Sequence, residues 1–318
     1  MDTKNNNSAD LLINDLLPTH PRRLYDPVEY IMAQKGKKIR FNLALKGCEL
    51  FSGSSDDAMQ AAMAVEIFHN FTLIHDDIMD NAKTRRNQPT IHEKWDINTG
   101  ILSGDVMMIL AYEALLKAPE HAHAKIFPLF TRSARAVCEG QQMDMDFESL
   151  PVVQIDKYLE MITKKTGVLI AAALGMGAAC GGATDAEVEH LYEYGKNLGI
   201  SFQIRDDILD CYGETQKIGK IKAGDIIQGK KTILYIRTWF SMPEEEQDGF
   251  TELYHSSAPD KIDTILNYFE KAGAKEYALA KEQEYFEKAH AALAKIDVSP
   301  QRKKKLTDYT QSIFRREH

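Results

Sequence analysis

Cysteine is scarce. The four thiols, Cys48, Cys138, Cys180 and Cys211, lie far apart in 318 residues, and no pair has zinc-ligand or redox spacing. This argues against a disulfide scaffold and points to reduced thiols in a cytoplasmic protein. Long apolar runs are also missing. The N-terminal MDTKNNNSAD lacks the apolar stretch of a signal peptide. The nearest approach to a membrane span, Val168 to Cys180, is too short and too rich in Ala and Gly, so no transmembrane segment is expected. Its small residues suit a buried helix that neighbours approach closely. Basic residues are outnumbered, 39 against 47, for a net charge of −8. Such a chain repels a nucleic-acid backbone, and no nucleic-acid partner is expected. Strand signals are rare as well: no Asn-Gly or Asp-Gly turn joins two alternating β-branched runs.

What is present is helical periodicity. Early helices are expected over Leu11 to Leu17 and Pro27 to Leu50. A long one over Asp56 to Asp77 carries Ala62, Val65, Phe68 and Thr72 at three- and four-residue steps. Others are expected over Leu102 to Leu116, His123 to Phe147, Ile155 to Cys180 and Asp185 to Tyr212. The last third adds Lys230 to Phe240, Pro259 to Lys271, Gly273 to Lys295 and Pro300 to Phe314. The fold class is therefore all-α, a bundle of roughly ten or more helices in one domain over 1–318. The polar, Lys- and Gly-rich stretch from Gly213 to Gly229 reads as a mobile loop near a site.

Two of the helices end in acid. Asp76-Asp77-Ile78-Met79-Asp80 and Asp206-Asp207-Ile208-Leu209-Asp210 both have the form Asp-Asp-x-x-Asp. On a helix the outer aspartates share a face about 6 Å apart along the axis. Three carboxylates at a helix C-terminus repel one another and oppose the dipole. Divalent cations remove both objections, and hard carboxylate oxygens suit magnesium shared with phosphate. One such motif is weak evidence, because exposed acid is ordinary in an acidic chain. Two, each after an apolar helical run, are not. Short basic clusters supply what anionic substrates need: Lys37, Lys38 and Arg40; Arg85 and Arg86; Lys164 and Lys165; Lys220; Lys230 and Lys231. The segment near Lys220 lacks P-loop spacing, so nucleotide binding is not supported. His69 either faces the same site or packs as an ordinary core histidine. His75 adjoins the acidic ligands as a support.

Taken in order, several segments resemble the trans-isoprenyl diphosphate synthase (polyprenyl synthetase) family. They are Gly36-Lys37-Lys38-Ile39-Arg40, Glu66-Ile67-Phe68-His69, the first acidic motif with Arg85-Arg86, and Gly104-Asp105. Gly140-Gln141-Gln142-Met143-Asp144, Lys165-Thr166, the second acidic motif and Gly229-Lys230-Lys231-Thr232 follow. The resemblance implies an all-α isoprenoid synthase bundle around a central cavity, working as a homodimer. Asp76, Asp77 and Asp80 would hold two magnesium ions, and Asp206 with Asp207 and Asp210 a third. Arg85, Lys165 and Lys220 would contact the allylic diphosphate. Lys37, Arg40, His69 and Arg86 would hold isopentenyl diphosphate. Thr166 and Gln203 would line the reacting end, and Lys230 would close over it. Asn87 stands where glycine usually follows the paired arginines, Lys35 where the first of two glycines is common, and Phe41 where proline is common. Arg205 beside Asp206 is unexpected and has no assigned role.

The implied activity is magnesium-dependent head-to-tail condensation of isopentenyl diphosphate with dimethylallyl, geranyl or farnesyl diphosphate. Phe71 lies five residues before Asp76, about 7.5 Å along the helix, with Phe68 nearly a turn deeper. An aromatic residue there limits elongation in the resembling family. The expected product is C20 geranylgeranyl diphosphate, with C15 farnesyl diphosphate as the alternative. Longer-chain synthases, terpene cyclases, a silent partner subunit and His-Asp phosphohydrolases are the remaining readings.

Overall fold

The computed structural model describes residues 17–34, 36–52, 54–213 and 223–314. Lys35, Lys220 and nearly all of the expected first helix lie outside them. In chain order the helices are α1 (Arg22–Met32), α2 (Ile39–Phe51), α3 (Met59–Met79), α4 (Ile91–Lys94), α5 (Ile97–Leu116) and α6 (His123–Glu148). Next come α7 (Ile155–Ile162), α8 (Val168–Cys180), α9 (Asp185–Tyr212), α10 (Gly224–Gln228) and α11 (Ile233–Ser241). The chain then runs through α12 (Glu244–His255), α13 (Lys261–Lys271), α14 (Ala274–Ala294) and α15 (Pro300–Phe314). Among the described residues the only strands are β1 (Thr84–Arg85) and β2 (Gln88–Pro89), a two-stranded antiparallel pair.

The chain divides into two compact units. The first comprises Met1–Ala134, Ala172–Tyr192 and Ile296–Thr307; the second comprises Arg135–Ala171, Glu193–Lys295 and Asp308–His318. In the first, α3 is buried on nearly every side, as its low amphipathicity requires. Its most extensive packing is against α5, where Ala61, Ala62 and Ala64 keep α3 narrow. The Ala- and Gly-rich α8 is a core helix, as its composition suggests. A Cβ on Gly177 would lie 1.9 Å from the Ala44 carbonyl oxygen of α2, and one on Gly47 2.4 Å from the Leu174 carbonyl oxygen. Backbone meets backbone there, so nothing larger than hydrogen fits.

The second unit has its own core. Ile200, Ile204 and Ile208 recur at four-residue steps on α9 and are buried with Tyr158, Tyr235, Phe250, Tyr254 and Phe269. A stripe of this kind at helical spacing anchors α9 and thereby fixes the side chains between those steps.

The structure corrects several expected boundaries. Pro27 to Leu50 is two helices, because Lys38 takes a left-handed conformation (φ 43°) before α2. Ile155 to Cys180 is interrupted by a π turn at Thr163–Gly167. The stretch read as a loop contains α10. The helix α12 had no strong apolar pattern to announce it, since only Phe250 and Tyr254 are buried. One helix among the described residues, α5, is long and apolar enough by composition to cross a membrane, and half of that window is buried in the protein. Gly177→Val should cost about 3 kcal/mol or more by overpacking; urea unfolding with a loss under about 1 kcal/mol would contradict the backbone contact.

Candidate functional site

Each unit carries one acidic motif, and each is built locally. In the first unit, α3 stops immediately after Asp76 and Asp77. Asn81 adopts the left-handed conformation (φ 51°), Ala82 N–H donates to the Asp77 carbonyl and Asn81 N–H to the Ile78 carbonyl. This is a Schellman stop, and it leaves Asp80 as an exposed cap beside a half-buried Asp76. Asp77 is different. It is 3% exposed, and Arg85 grips both carboxylate oxygens, Nε at 2.8 and 2.9 Å and Nη2 at 2.8 Å. Burial pushes the Asp77 carboxyl above the usual carboxylate range, against the opposing pull of Arg85. The arrangement makes Asp77 an anchored carboxylate.

Arg85 reaches Asp77 from the hairpin. Arg86 and Asn87 form the turn, both left-handed at φ 52° and 61°. Asparagine tolerates this region better than most residues, which explains how Asn87 replaces glycine. Arg86 lays its guanidinium over Gly36, where a Cβ would come within 2.8 Å of Nη1.

Next to it lies a buried polar cluster. Arg40 Nη1 donates to His69 Nε2 at 3.1 Å, so the imidazole accepts there. Burial, then Arg40, Arg86 and Arg85, push His69 well below its ordinary value, so it is neutral at pH 7. Burial likewise lowers Arg40 to about 10. The acid Glu66 is buried, accepts from Phe41 N–H at 3.4 Å, and is shifted upward by desolvation. With Arg85 taken by Asp77, two guanidiniums, Arg40 and Arg86, act on one buried acid. Arg40 Nε is buried without a hydrogen-bond partner among the described residues. An anion would answer both features. Lys37 is exposed nearby in sequence.

His75 is a packing residue that supports the motif. Its Nε2 lies 3.2 Å from the Ile101 carbonyl, and a Cβ on Gly104 would come within 2.3 Å of it. Its ring meets Phe71 at 4.8 Å, and Phe71 meets Phe68 at 5.3 Å. Phe68 is fully buried and packs on Phe130, whereas Phe71 retains 8% exposure.

In the second unit the π turn presents Lys165 and Thr166. A Cβ on Gly140 of α6 would meet Lys165 N at 2.4 Å, so α6 closes directly on this turn. Lys165 Nζ donates to Asp144 at 2.6 Å. Thr166 Oγ1 donates to Gln203 Oε1 at 2.9 Å, and Gln203 Nε2 donates to Asp207 Oδ1 at 3.0 Å. Tyr158 OH donates to Asp207 Oδ2 at 2.6 Å. Asp207 is 4% exposed, and burial with nearby Asp225 lifts its carboxyl well above the ordinary range. Asp206 and Asp210 are half-buried, and Asp210 Oδ2 accepts from Asp225 N–H at 2.9 Å. Lys230 is half-buried in the turn after α10. Arg205 pairs with Glu282 of α14 at 2.9 Å, a strut that fixes α9.

Tyr158, Asp144 and the Glu66 contact were not singled out as site residues by sequence. Asp144 and Glu66 stood within motifs; Tyr158 had no local signal. No group of three or more His, Cys, Asp or Glu side chains among the described residues forms a ready-made metal cage. The donor chemistry still fits magnesium, which usually takes one or two carboxylates and completes its shell with water and phosphate.

The family model for polyprenyl synthetase matches residues 21–271. The geranylgeranyl diphosphate synthase of Methanosarcina mazei is 40% identical over 240 residues, 74% of each chain. The short chain isoprenyl diphosphate synthase of Methanothermobacter thermautotrophicus is 35% identical over 94% of this chain and 92% of its own. The crystal structure of geranylgeranyl pyrophosphate synthetase from Pyrococcus horikoshii superimposes with a TM-score of 0.91 at 32% identity, covering 98% of this chain and 96% of that one.

Arg85→Met should cost about 1–3 kcal/mol by stranding the Asp77 carboxylate, and adding Asp77→Asn should recover part of that loss. Additive losses in chemical unfolding would mean that the pair is not coupled.

Proposed function

The chain belongs to the polyprenyl synthetase family and is a prenyltransferase, and from that premise we propose a magnesium-dependent synthase that makes geranylgeranyl diphosphate. It joins isopentenyl diphosphate to dimethylallyl, geranyl and farnesyl diphosphates in turn. The observation that carries this reading is the Arg40, Arg85 and Arg86 cluster around neutral His69, close in the chain to Asp76 and Asp80. It supports a diphosphate site distinct in residues from Lys165 and Lys230. A terpene cyclase has no need of a second diphosphate.

In this reading Asp76 and Asp80 hold magnesium, and so do Asp206 and Asp210. Asp77 and Asp207 act by orienting their neighbours. Magnesium, three ions per site, would neutralise the departing diphosphate. Lys165 and Lys230 bind its oxygens, with Lys220 assigned by resemblance alone. Arg85 steadies Asp77 beside it. Lys37, Arg40, His69 and Arg86 hold isopentenyl diphosphate. The allylic C1–O bond breaks, the isopentenyl double bond attacks C1, and a C2 proton leaves to the released pyrophosphate. Thr166 spends its hydroxyl proton on Gln203, so lone pairs of its oxygen remain for the developing cation. Phe71 limits the chain, with Phe68 packed behind it. The free thiols fit a reducing, cytoplasmic setting.

The protein also acts as a homodimer. The helix α5 leaves Ile97, Ile101, Leu102, Ile109 and Leu116 exposed, from 42% to 64%. This is a broad apolar face that a second copy would cover.

Incubation with magnesium, isopentenyl diphosphate and each of the C5, C10 and C15 primers should give C20 by mass spectrometry. Product without isopentenyl diphosphate would favour a cyclase. Asp76→Ala and Asp206→Ala should each lower kcat at least about 100-fold; rates within threefold of the parent would refute those assignments. Phe71→Ala should lengthen the product, and an unchanged distribution would remove Phe71 as the floor. Leu102→Glu with Ile109→Glu should convert a dimer to a monomer in sedimentation.

A further inference from the structure

We infer that Lys231, His255 and Tyr254 form a proton-sensitive clamp that positions Lys230 for its diphosphate. The inference rests on the assignment of Lys230 to substrate binding, and nothing in that assignment requires the clamp.

Gly229 is left-handed at φ 71°. Lys230 N–H donates to the Asp225 carbonyl at 2.9 Å, and the Lys230 carbonyl accepts from Thr232 N–H at 3.0 Å. Tyr254 OH, on α12, donates to that same carbonyl at 2.7 Å. Lys231 is only 5% exposed, and its Nζ donates to the Gly229 carbonyl at 3.3 Å. A Cβ on Gly229 would lie 3.0 Å from His255 Nδ1, so the imidazole presses against the turn from outside. Both Gly229 and Lys230 are therefore held by groups that a tidy helix start does not need.

The centre of the clamp is the 2.7 Å contact between Lys231 Nζ and His255 Nε2. Lysine has donors only, so Nε2 must accept and the imidazole must be neutral. Among the described residues Lys231 makes no ion pair. Its other neighbours are the rings of Tyr235 on α11 and Tyr254 on α12, with centroids at 4.9 and 5.5 Å. Glu148 on α6 favours its charge from a distance, and Lys261 on α13 opposes it. Burial pushes Lys231 down to about 8. Desolvation, then Lys231 and Lys261, hold His255 below its usual 6.5.

The sign follows. Above 6.5 the imidazole is neutral and the contact is made. As pH falls through the depressed value of His255, both ring nitrogens become donors, and two cations face each other with Lys261 close by. His255 is exposed, so the proton arrives freely. The contact breaks and the turn loses its hold at Gly229, the residue before Lys230, while Tyr254 still holds the Lys230 carbonyl. On the alkaline side a neutral Lys231 amine still donates, so no loss is expected there.

The test follows KM for the allylic diphosphate and kcat from pH 5.5 to 8.5. The parent KM should rise about tenfold below pH 6.5 while kcat changes little, the pattern of lost ground-state binding. His255→Gln retains an acceptor at every pH and should flatten that rise. Tyr254→Phe should raise KM at all pH values. Independently of turnover, the His255 ring proton should titrate below 6.5 by NMR, and Lys231→Met should move it back toward 6.5 in a chain with unchanged thermal unfolding. A His255→Gln profile like the parent's, or a His255 titration indifferent to Lys231→Met, would overturn the clamp. An inert parent with the expected NMR titration would instead overturn the assignment of function and leave the Lys231–His255 contact standing.

Discussion

Carboxylates crowded at the end of a helix repel one another, and both acidic segments solve this the same way. In each, the second aspartate is buried and tied down, Asp77 at 3% exposure and Asp207 at 4%. The partners differ in kind. Asp77 meets a guanidinium from the hairpin, which compensates its charge. Asp207 meets two neutral donors, Tyr158 and Gln203, which satisfy its oxygens and leave its charge opposed by burial, then by Asp225 and Asp206. Desolvation therefore dominates both shifts, and among the described residues no full cation counters it at Asp207. With the middle aspartate immobilised, the outer pair on the same face is what a hydrated cation would meet.

Backbone strain gathers around the same segments. Every non-glycine residue with positive φ among those described, Lys38, Asn81, Arg86, Asn87 and Ala223, begins or ends a segment carrying a proposed ligand. Such conformations cost about 1–2 kcal/mol each in the left-handed region for most residues. They persist where packing on both sides determines them. The hairpin illustrates this: its strained turn allows Arg85 to return to Asp77 while Arg86 covers Gly36. The π turn does the same for Lys165 and Thr166, with a widened helical turn exposing groups that a regular helix would hide.

Much of this was legible in the sequence because it depends on periodicity and local charge. The helix class, the acidic ends of α3 and α9, and the packing role of α8 all follow from spacing within one element. What was not legible depends on contacts distant in the chain. Tyr158 reaches Asp207 across 49 residues, and Arg205 finds Glu282 across 77. Nothing local marks either partner. The break at Lys38 and the π turn escaped for another reason: the short polar stretches 34–38 and 163–167 read equally well as the exposed side of a continuous helix, and only backbone conformation reveals the interruption. The resemblance implies Arg85 as a diphosphate ligand, and nothing local announces that the hairpin also brings it back to Asp77.

The cation balance in the first unit favours a bound anion. Asp77 already neutralises Arg85, and Glu66 is the one buried acid left among Arg40, Arg86 and His69. Burial makes such a surplus costly, as the lowered Arg40 shows. The unpartnered Arg40 Nε adds about 1–3 kcal/mol of its own. A fold that needed this cluster only for structure would gain by replacing Arg40 with an apolar residue of similar volume. An anion with several oxygens removes the cost at once, by completing the donors and balancing the charge. The second diphosphate of the proposed reaction would relieve that surplus.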